Sequence, residues 1–350
     1  MNRLTSILLL LCWAVVAYAQ PPQGYYAQAD GTSGASLKTQ MYHIITNHTA
    51  LSYNDLWKAF YTTDVRADGR IWDMYSNVTN YKPGGSAQGA NYKDEGDSYN
   101  REHSFPKSWF NDAKPMYTDL FHLYPTDGYV NNRRSNYPFG ETNGEKYMSS
   151  GGFSKLGNST VAGYSGIVFE PADEYKGDFA RTYFYMATAY ENRIAGWSSD
   201  MLSSDKYKAY KSWALNMLMR WAKEDPVSDK EIARNEAVYQ LQGNRNPFID
   251  FPGLEEYVWG DKVDTIFYVD GHQDDKGDDE GDDGDDGSGR GHRPGKDPSG
   301  ITQPETTVVV GDVYAADGRI MRRSVVAGSA LGTLPSGVYV IDGKKVIIAH

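Results

Sequence analysis

Between Asp274 and Gly287 the chain runs through fourteen residues without one apolar side chain, in an Asp-Asp-Gly-like repeat. Such a stretch buries nothing, so it cannot offset the conformational entropy that folding removes. Whatever folds must therefore fold on either side of it. This divides the chain into a leader (1–19), a large domain (20–263), an acidic Gly/Asp-rich linker (264–304) and a small C-terminal part (305–350). The repeated carboxylates are of a kind that ligates Ca²⁺, but their spacing matches no Ca²⁺ loop, and the segment reads as flexible linker.

The leader begins Met1-Asn2-Arg3, continues through an apolar run from Leu8 to Val16, and ends Ala17-Tyr18-Ala19. A basic start, a short apolar core and a small-x-small site describe a secretory signal peptide. The apolar run is too short for a permanent span, so the mature chain is expected to have no membrane span. Cys12 is the single cysteine and lies in this segment, so the mature chain carries no disulfide. A domain of this length can do without one.

The net charge of −11 argues against a tight nucleic-acid binder. Much of that charge sits in the linker. Residues 271–300 hold ten acidic and four basic groups, whereas residues 20–263 hold thirty and twenty-five. Within 101–134 the balance turns basic: Arg101, Lys107, Lys114, Arg133 and Arg134 against four carboxylates. A local basic site on a mildly acidic body suits an enzyme that releases its product.

Two short segments in this stretch carry the chemistry. Tyr99-Asn100-Arg101-Glu102-His103 precedes Ser104-Phe105-Pro106, and about thirty residues on comes Tyr129-Val130-Asn131-Asn132-Arg133-Arg134-Ser135-Asn136. Glu and Asn oxygens suit a hard cation such as Mg²⁺. His accepts a proton near neutral pH, and Arg offsets charge on a phosphate. The REH block reads as a strand or its end, Asp119–Tyr124 as a second strand, and Val130 onward as a short helix. Elsewhere, apolar spacing predicts helices within 37–60, over 179–194 and 204–223, and from Ser228 to about Leu241 behind a Ser-x-x-Glu capping box. Residues 71–76 read as a strand, and 20–36 and 82–98 as irregular. The fold class is α+β: a mostly helical domain around a β–β–α unit, then the linker and a small C-terminal β-sandwich.

The two segments resemble the endonuclease I family, whose site is a ββα-metal motif. Matching blocks run from about residue 37 to 260, among them Asp178–Met186 and Gly243–Asp250. Carried over residue by residue, the resemblance implies His103 as general base, Glu102 and Asn131 as metal positions, and Arg134 beside the scissile phosphate. A further phosphate-contacting arginine of some relatives has no counterpart, since 107–118 offers only Lys107 and Lys114. A cysteine pair found in some relatives before the REH block is also missing. Candidate substrate contacts are Arg101, Arg133, His122, Lys114 and Arg181; a purely structural role for His122 is an equal alternative. His43 and His48 read as structural.

The resemblance implies a nuclease that hydrolyses DNA and/or RNA with little sequence preference; the leader makes it a secreted one, and a monomer is expected. Its cofactor would be one Mg²⁺, with Mn²⁺ or Ca²⁺ as alternatives. The C-terminal stretch Leu334–Val340, with hairpin dipeptides at Asp317-Gly318 and Asp342-Gly343, resembles a type IX secretion sorting domain, so its partner would be an export machinery. The competing reading is a non-catalytic surface protein that binds polysaccharide or Ca²⁺. Intact Glu102, His103 and Asn131 argue against it.

Overall fold

The computed structural model describes residues 20–89 and 91–271, together with four strands between 310 and 348. The leader, most of the linker and the two C-terminal hairpin dipeptides lie outside the described residues. The chain divides into two units, Met1–Gly277 and Asp278–His350.

In the first unit α1 (Gly34–Ile45) and α2 (Asp55–Thr63) precede a two-stranded ribbon, β1 (Tyr99–His103) and β2 (Leu123–Asp127), and then α3 (Gly128–Arg134). A three-stranded antiparallel sheet follows in the order β3 (Tyr147–Met148), β4 (Lys155–Asn158), β5 (Ile167–Glu170). The rest is helical: α4 (Lys176–Ala189), α5 (Glu191–Ile194), α6 (Ser212–Glu224), α7 (Asp229–Gln242), α8 (Pro247–Asp250) and α9 (Leu254–Val258). Among the described residues no helix is long and apolar enough to cross a membrane.

The core is built around α4, which is buried along its whole length from Gly177 to Ala189. A helix without a polar face must be covered on all sides; α1 and α6 are its main covers. Aromatic rings fill the space beside it, with Phe139 in tilted contact with Phe179 and Tyr183, and Tyr183 with Phe105. The capping box of α7 is formed, Ser228 and Glu231 each receiving the other's backbone N–H. The helix ends at Gly243 in the left-handed region (φ 79°), where glycine carries no Cβ penalty.

Four sequence readings outside the β–β–α unit differ from the structure. Residues 20–36 are ordered: Tyr26 is buried, stacks edge-on against Phe251 and donates to Asp250. Residues 264–271 belong to the folded unit, because Phe267 pairs its backbone with Thr32 and Gly31. The helix expected from Ser204 starts only at Ser212; Leu202 and Tyr210 form a β-bridge instead. Residues 71–76 form no strand. Asp73 accepts the backbone N–H groups of Tyr75 and Ser76 and so turns the chain after one bridge at Ile71.

The second unit contains β6 (Val310–Ala315), β7 (Ile320–Val326), β8 (Gly337–Ile341) and β9 (Lys344–Ile348). They form one antiparallel sheet in the order β7-β6-β8-β9.

Candidate active site

The ribbon and α3 form one β–β–α unit. β1 and β2 are antiparallel, with Glu102 opposite Tyr124 and His103 opposite Leu123. The second strand starts four residues later than the sequence suggests. Asp119 accepts the Phe121 N–H and folds Leu120–His122 into a 3₁₀ turn first. Asp127 then closes β2 and caps α3: Oδ1 accepts from Val130 N at 2.9 Å, while Oδ2 takes the Tyr81 hydroxyl and Gly96 N. A carboxylate at this end also suits the positive end of the helix dipole.

A cavity of about 400 Å³ opens at this unit, lined by Asn100, Arg101, Glu102, His103, Lys107 and Asn131 among others. Glu102 is 4% exposed. Its Oε1 accepts from Tyr75 Oη at 2.9 Å and from Arg134 Nη1 at 2.6 Å. Burial pushes the carboxyl up from its usual range, and Arg134 and Tyr75 oppose that. Asn131 donates its amide nitrogen to Asn100 Oδ1 at 2.5 Å. This fixes the amide orientation and makes Oδ1 its acceptor end.

The His103 ring packs beside that of Tyr117 at 5.1 Å and is near parallel to that of Tyr53 at 6.2 Å. Its Nε2 is 3.0 Å from the Tyr117 carbonyl oxygen. A carbonyl only accepts, so Nε2 carries the proton and Nδ1 is the free base. Burial lowers the imidazole pKa to about 3, with His122 adding repulsion. The ring is therefore neutral at neutral pH, with Nδ1 unprotonated.

The structure brings Glu102, His103, Asn131 and Arg101 to one cavity and places the other candidates elsewhere. Arg134, expected at the phosphate, is fully buried. Besides Glu102 it donates to the carbonyls of His103 (2.9 Å) and Ser104 (2.5 Å). A guanidinium so engaged braces the site from behind. His122 is also buried, its Nε2 2.7 Å from Met116 O, and its ring backs that of His103 at 5.5 Å. Arg181 holds Glu231 through two bonds, 2.6 and 2.8 Å, and the Asp225 carbonyl, so it ties α4 to α7. Lys114 is exposed and away from the cavity lining. Arg133 is exposed on the last turn of α3, over the Tyr129 and Tyr147 rings. Arg101 lines the cavity, but its guanidinium lies 3.5 Å from the Tyr53 ring centre and donates to Tyr53 O.

Three residues escaped the sequence reading: Asn100, Tyr53 and Tyr75. Period-two alternation puts Asn100 on the same strand face as Glu102, which is a usable signal. Tyr53 and Tyr75 come from distant segments and leave none.

Among the described residues no three His, Cys, Asp or Glu side chains converge as a metal cage. The carboxylate of Glu102 and the oriented Oδ1 of Asn131 are a sparse, all-oxygen pair. Such a pair fits Mg²⁺, which retains several of its waters.

An extracellular ribonuclease of Bacillus subtilis (strain 168) is 36% identical over 263 residues, 73% of this chain and 84% of that protein. An extracellular ribonuclease of Bacillus amyloliquefaciens is 36% identical over 256 residues, 70% of this chain and 81% of that one. An extracellular deoxyribonuclease of Aeromonas hydrophila is 31% identical over 135 residues, 39% of this chain and 50% of its own length. The pattern of the family described as Endonuclease I matches residues 33–253, across the ribbon, α3 and the helices behind them, and the chain therefore belongs to the endonuclease I family.

Proposed function

We propose that the chain is a secreted, metal-dependent endonuclease that hydrolyses phosphodiester bonds of DNA and/or RNA with little sequence preference. The observation that carries this is the single cavity shared by the Glu102 carboxylate, the neutral His103 imidazole and the oriented Asn131 amide. The names of the relatives support it, since they include secreted enzymes for both nucleic acids.

In this reading His103 Nδ1 takes a proton from the attacking water, and the Nε2–H bond to Tyr117 O holds the ring while it does so. Glu102 and Asn131 would hold a single divalent ion, Mg²⁺ by their chemistry. When bound, that ion supplies a Lewis acid for the charge on the phosphate and on the departing 3′ oxygen. Tyr75 and Arg134 keep the Glu102 carboxylate in place. Lys107, which lines the cavity and pairs with exposed Asp112, is a cation that could meet a phosphate there. Contacts confined to the backbone read no sequence. Products would carry 5′ phosphate and 3′ hydroxyl ends.

Residues 1–19 would direct secretion and be removed, and residues 305–350 would serve as an export address. The mature chain would act as a monomer. The test is degradation of plasmid DNA and of RNA by the mature chain, with Mg²⁺ and with EDTA. Cleavage of either that stops in EDTA supports the reading. Absence of cleavage of both by folded protein in Mg²⁺, Mn²⁺ or Ca²⁺ overturns it.

A further inference from the structure

A second, larger cavity of about 870 Å³ adjoins the first, and Ser108 and Asn136 line both. These two residues bond across the junction, Asn136 Nδ2 to Ser108 Oγ at 3.3 Å. We infer that this second cavity is the groove for the nucleotides next to the scissile bond, and that it accepts a single strand with unpaired bases. The inference rests on the nuclease reading above and specifies its substrate.

Three features of the groove point to that occupant. The first is continuity. A chain whose phosphate sits between Glu102 and His103 must leave the cavity on some side, and the shared Ser108–Asn136 edge leads straight into this space. The second is the lining. Tyr137 and Trp197 are half-buried aromatic residues on its walls, and Tyr164 is held flat against Trp213 at 4.4 Å. Base stacking on such rings is indifferent to sequence, since every base has a π-face. The third is polarity. Four further serines line the space, and Lys211 lies exposed on the lining, with no ion pair to its ammonium among those described. Hydroxyls and one cation suit a sugar–phosphate chain. One acid, the exposed Asp200, also lines this wall and accepts the Tyr164 hydroxyl at 2.7 Å.

The position of Tyr137 explains why the groove and the site act together. It lies three residues beyond the end of α3, and its N–H bonds the Arg134 carbonyl at 3.3 Å. The helix that carries Asn131 therefore also sets the first aromatic wall. Stacking on these walls requires bases that are not paired to a second strand.

The test compares kcat/KM on single-stranded oligonucleotides of about twelve nucleotides, on the same sequence as a duplex, and on a dinucleotide. Wild type is expected to prefer the long single strand to both. In Tyr137→Ala the ratio of long to dinucleotide kcat/KM falls about tenfold, mainly through KM, and Tyr137→Trp restores it. Lys211→Ala, an exposed change that leaves the core alone, lowers the same ratio and weakens its dependence on salt. A wild-type enzyme that cleaves but shows the same ratio in all three variants overturns the groove and leaves the nuclease reading standing. So does a preference for the duplex. A folded wild type that cleaves none of the three substrates with any divalent ion overturns both.

Discussion

Arg134 Nη1 donates to Glu102 Oε1 at 2.6 Å, and the two side chains are 1% and 5% exposed. A buried pair adds little net stability over apolar neighbours, but removing one member strands the other charge. Arg134→Met is therefore expected to destabilise the fold by roughly 3–5 kcal/mol. Denaturant unfolding measures it. Adding Glu102→Gln to that variant should recover part of the loss, because no buried charge then remains. A single variant as stable as wild type would show that the pair is not held in the interior.

His103→Ala removes the proposed base. The expected loss in kcat is about 10²- to 10⁴-fold, with far-UV circular dichroism unchanged. Retained cleavage in the folded variant would remove His103 from the mechanism.

Asn100 touches Asn131 rather than the reacting atoms, so it is a positioning residue. Asn100→Ala leaves the Asn131 amide free to turn. On the proposed metal assignment, affinity for the divalent ion is expected to fall by about 10- to 100-fold, as for other partners that orient a ligand. Titration calorimetry with Mn²⁺ reads this directly, apart from turnover. Unaltered affinity would mean that Asn131 needs no such support.

Lys38 supplies a pH prediction remote from the cavity. It is buried on α1, donates to the Lys206 carbonyl at 2.5 Å and lies 3.7 Å from Glu191. Burial lowers its pKa from 10.5 to about 8, against the pull of Glu191. The unfolded chain thus binds more protons than the folded one between those values, and stability contributed by this group rises with pH across that window. Relative to Lys38→Met, wild type should gain up to about 1.4 kcal/mol per pH unit from pH 8 to 10.5. A difference that stays flat over that range would mean that Lys38 keeps its proton when buried.

Much of the site is legible in the sequence because its parts are close along the chain. Glu102, His103 and Asn131 need only a ribbon and one helix turn to meet, and the strand and helix that carry them lie near where the residue pattern places them. Arg134 shows where that kind of reading stops. Nothing in an Arg-Arg pair tells which guanidinium faces solvent, and here Arg133 is exposed while Arg134 is buried behind Glu102. Arg181 has the same lesson on a longer scale, since its partner Glu231 lies fifty residues on. The order of residues 20–36 also depends on distant partners: Tyr26 finds Asp250 and Phe251 only after the whole unit has closed. The ribbon's second strand was displaced by a single polar side chain, Asp119, whose bond to Phe121 N favours a turn over an extended chain.

Glu102 and His103 are neighbours on one strand, yet both reach the same cavity. Successive strand residues face opposite sides of a sheet, so the cavity must wrap the end of β1 and meet each of them from its own side. An in-line displacement at phosphorus likewise has two sides, one for entry and one for departure. Spelling acid and imidazole as adjacent letters therefore encodes that opposition in the backbone pleat itself. On the proposed mechanism, a slip of one residue against β2 would exchange the two faces, and the ladder from Tyr99–Asp127 to His103–Leu123 fixes the side that each residue takes.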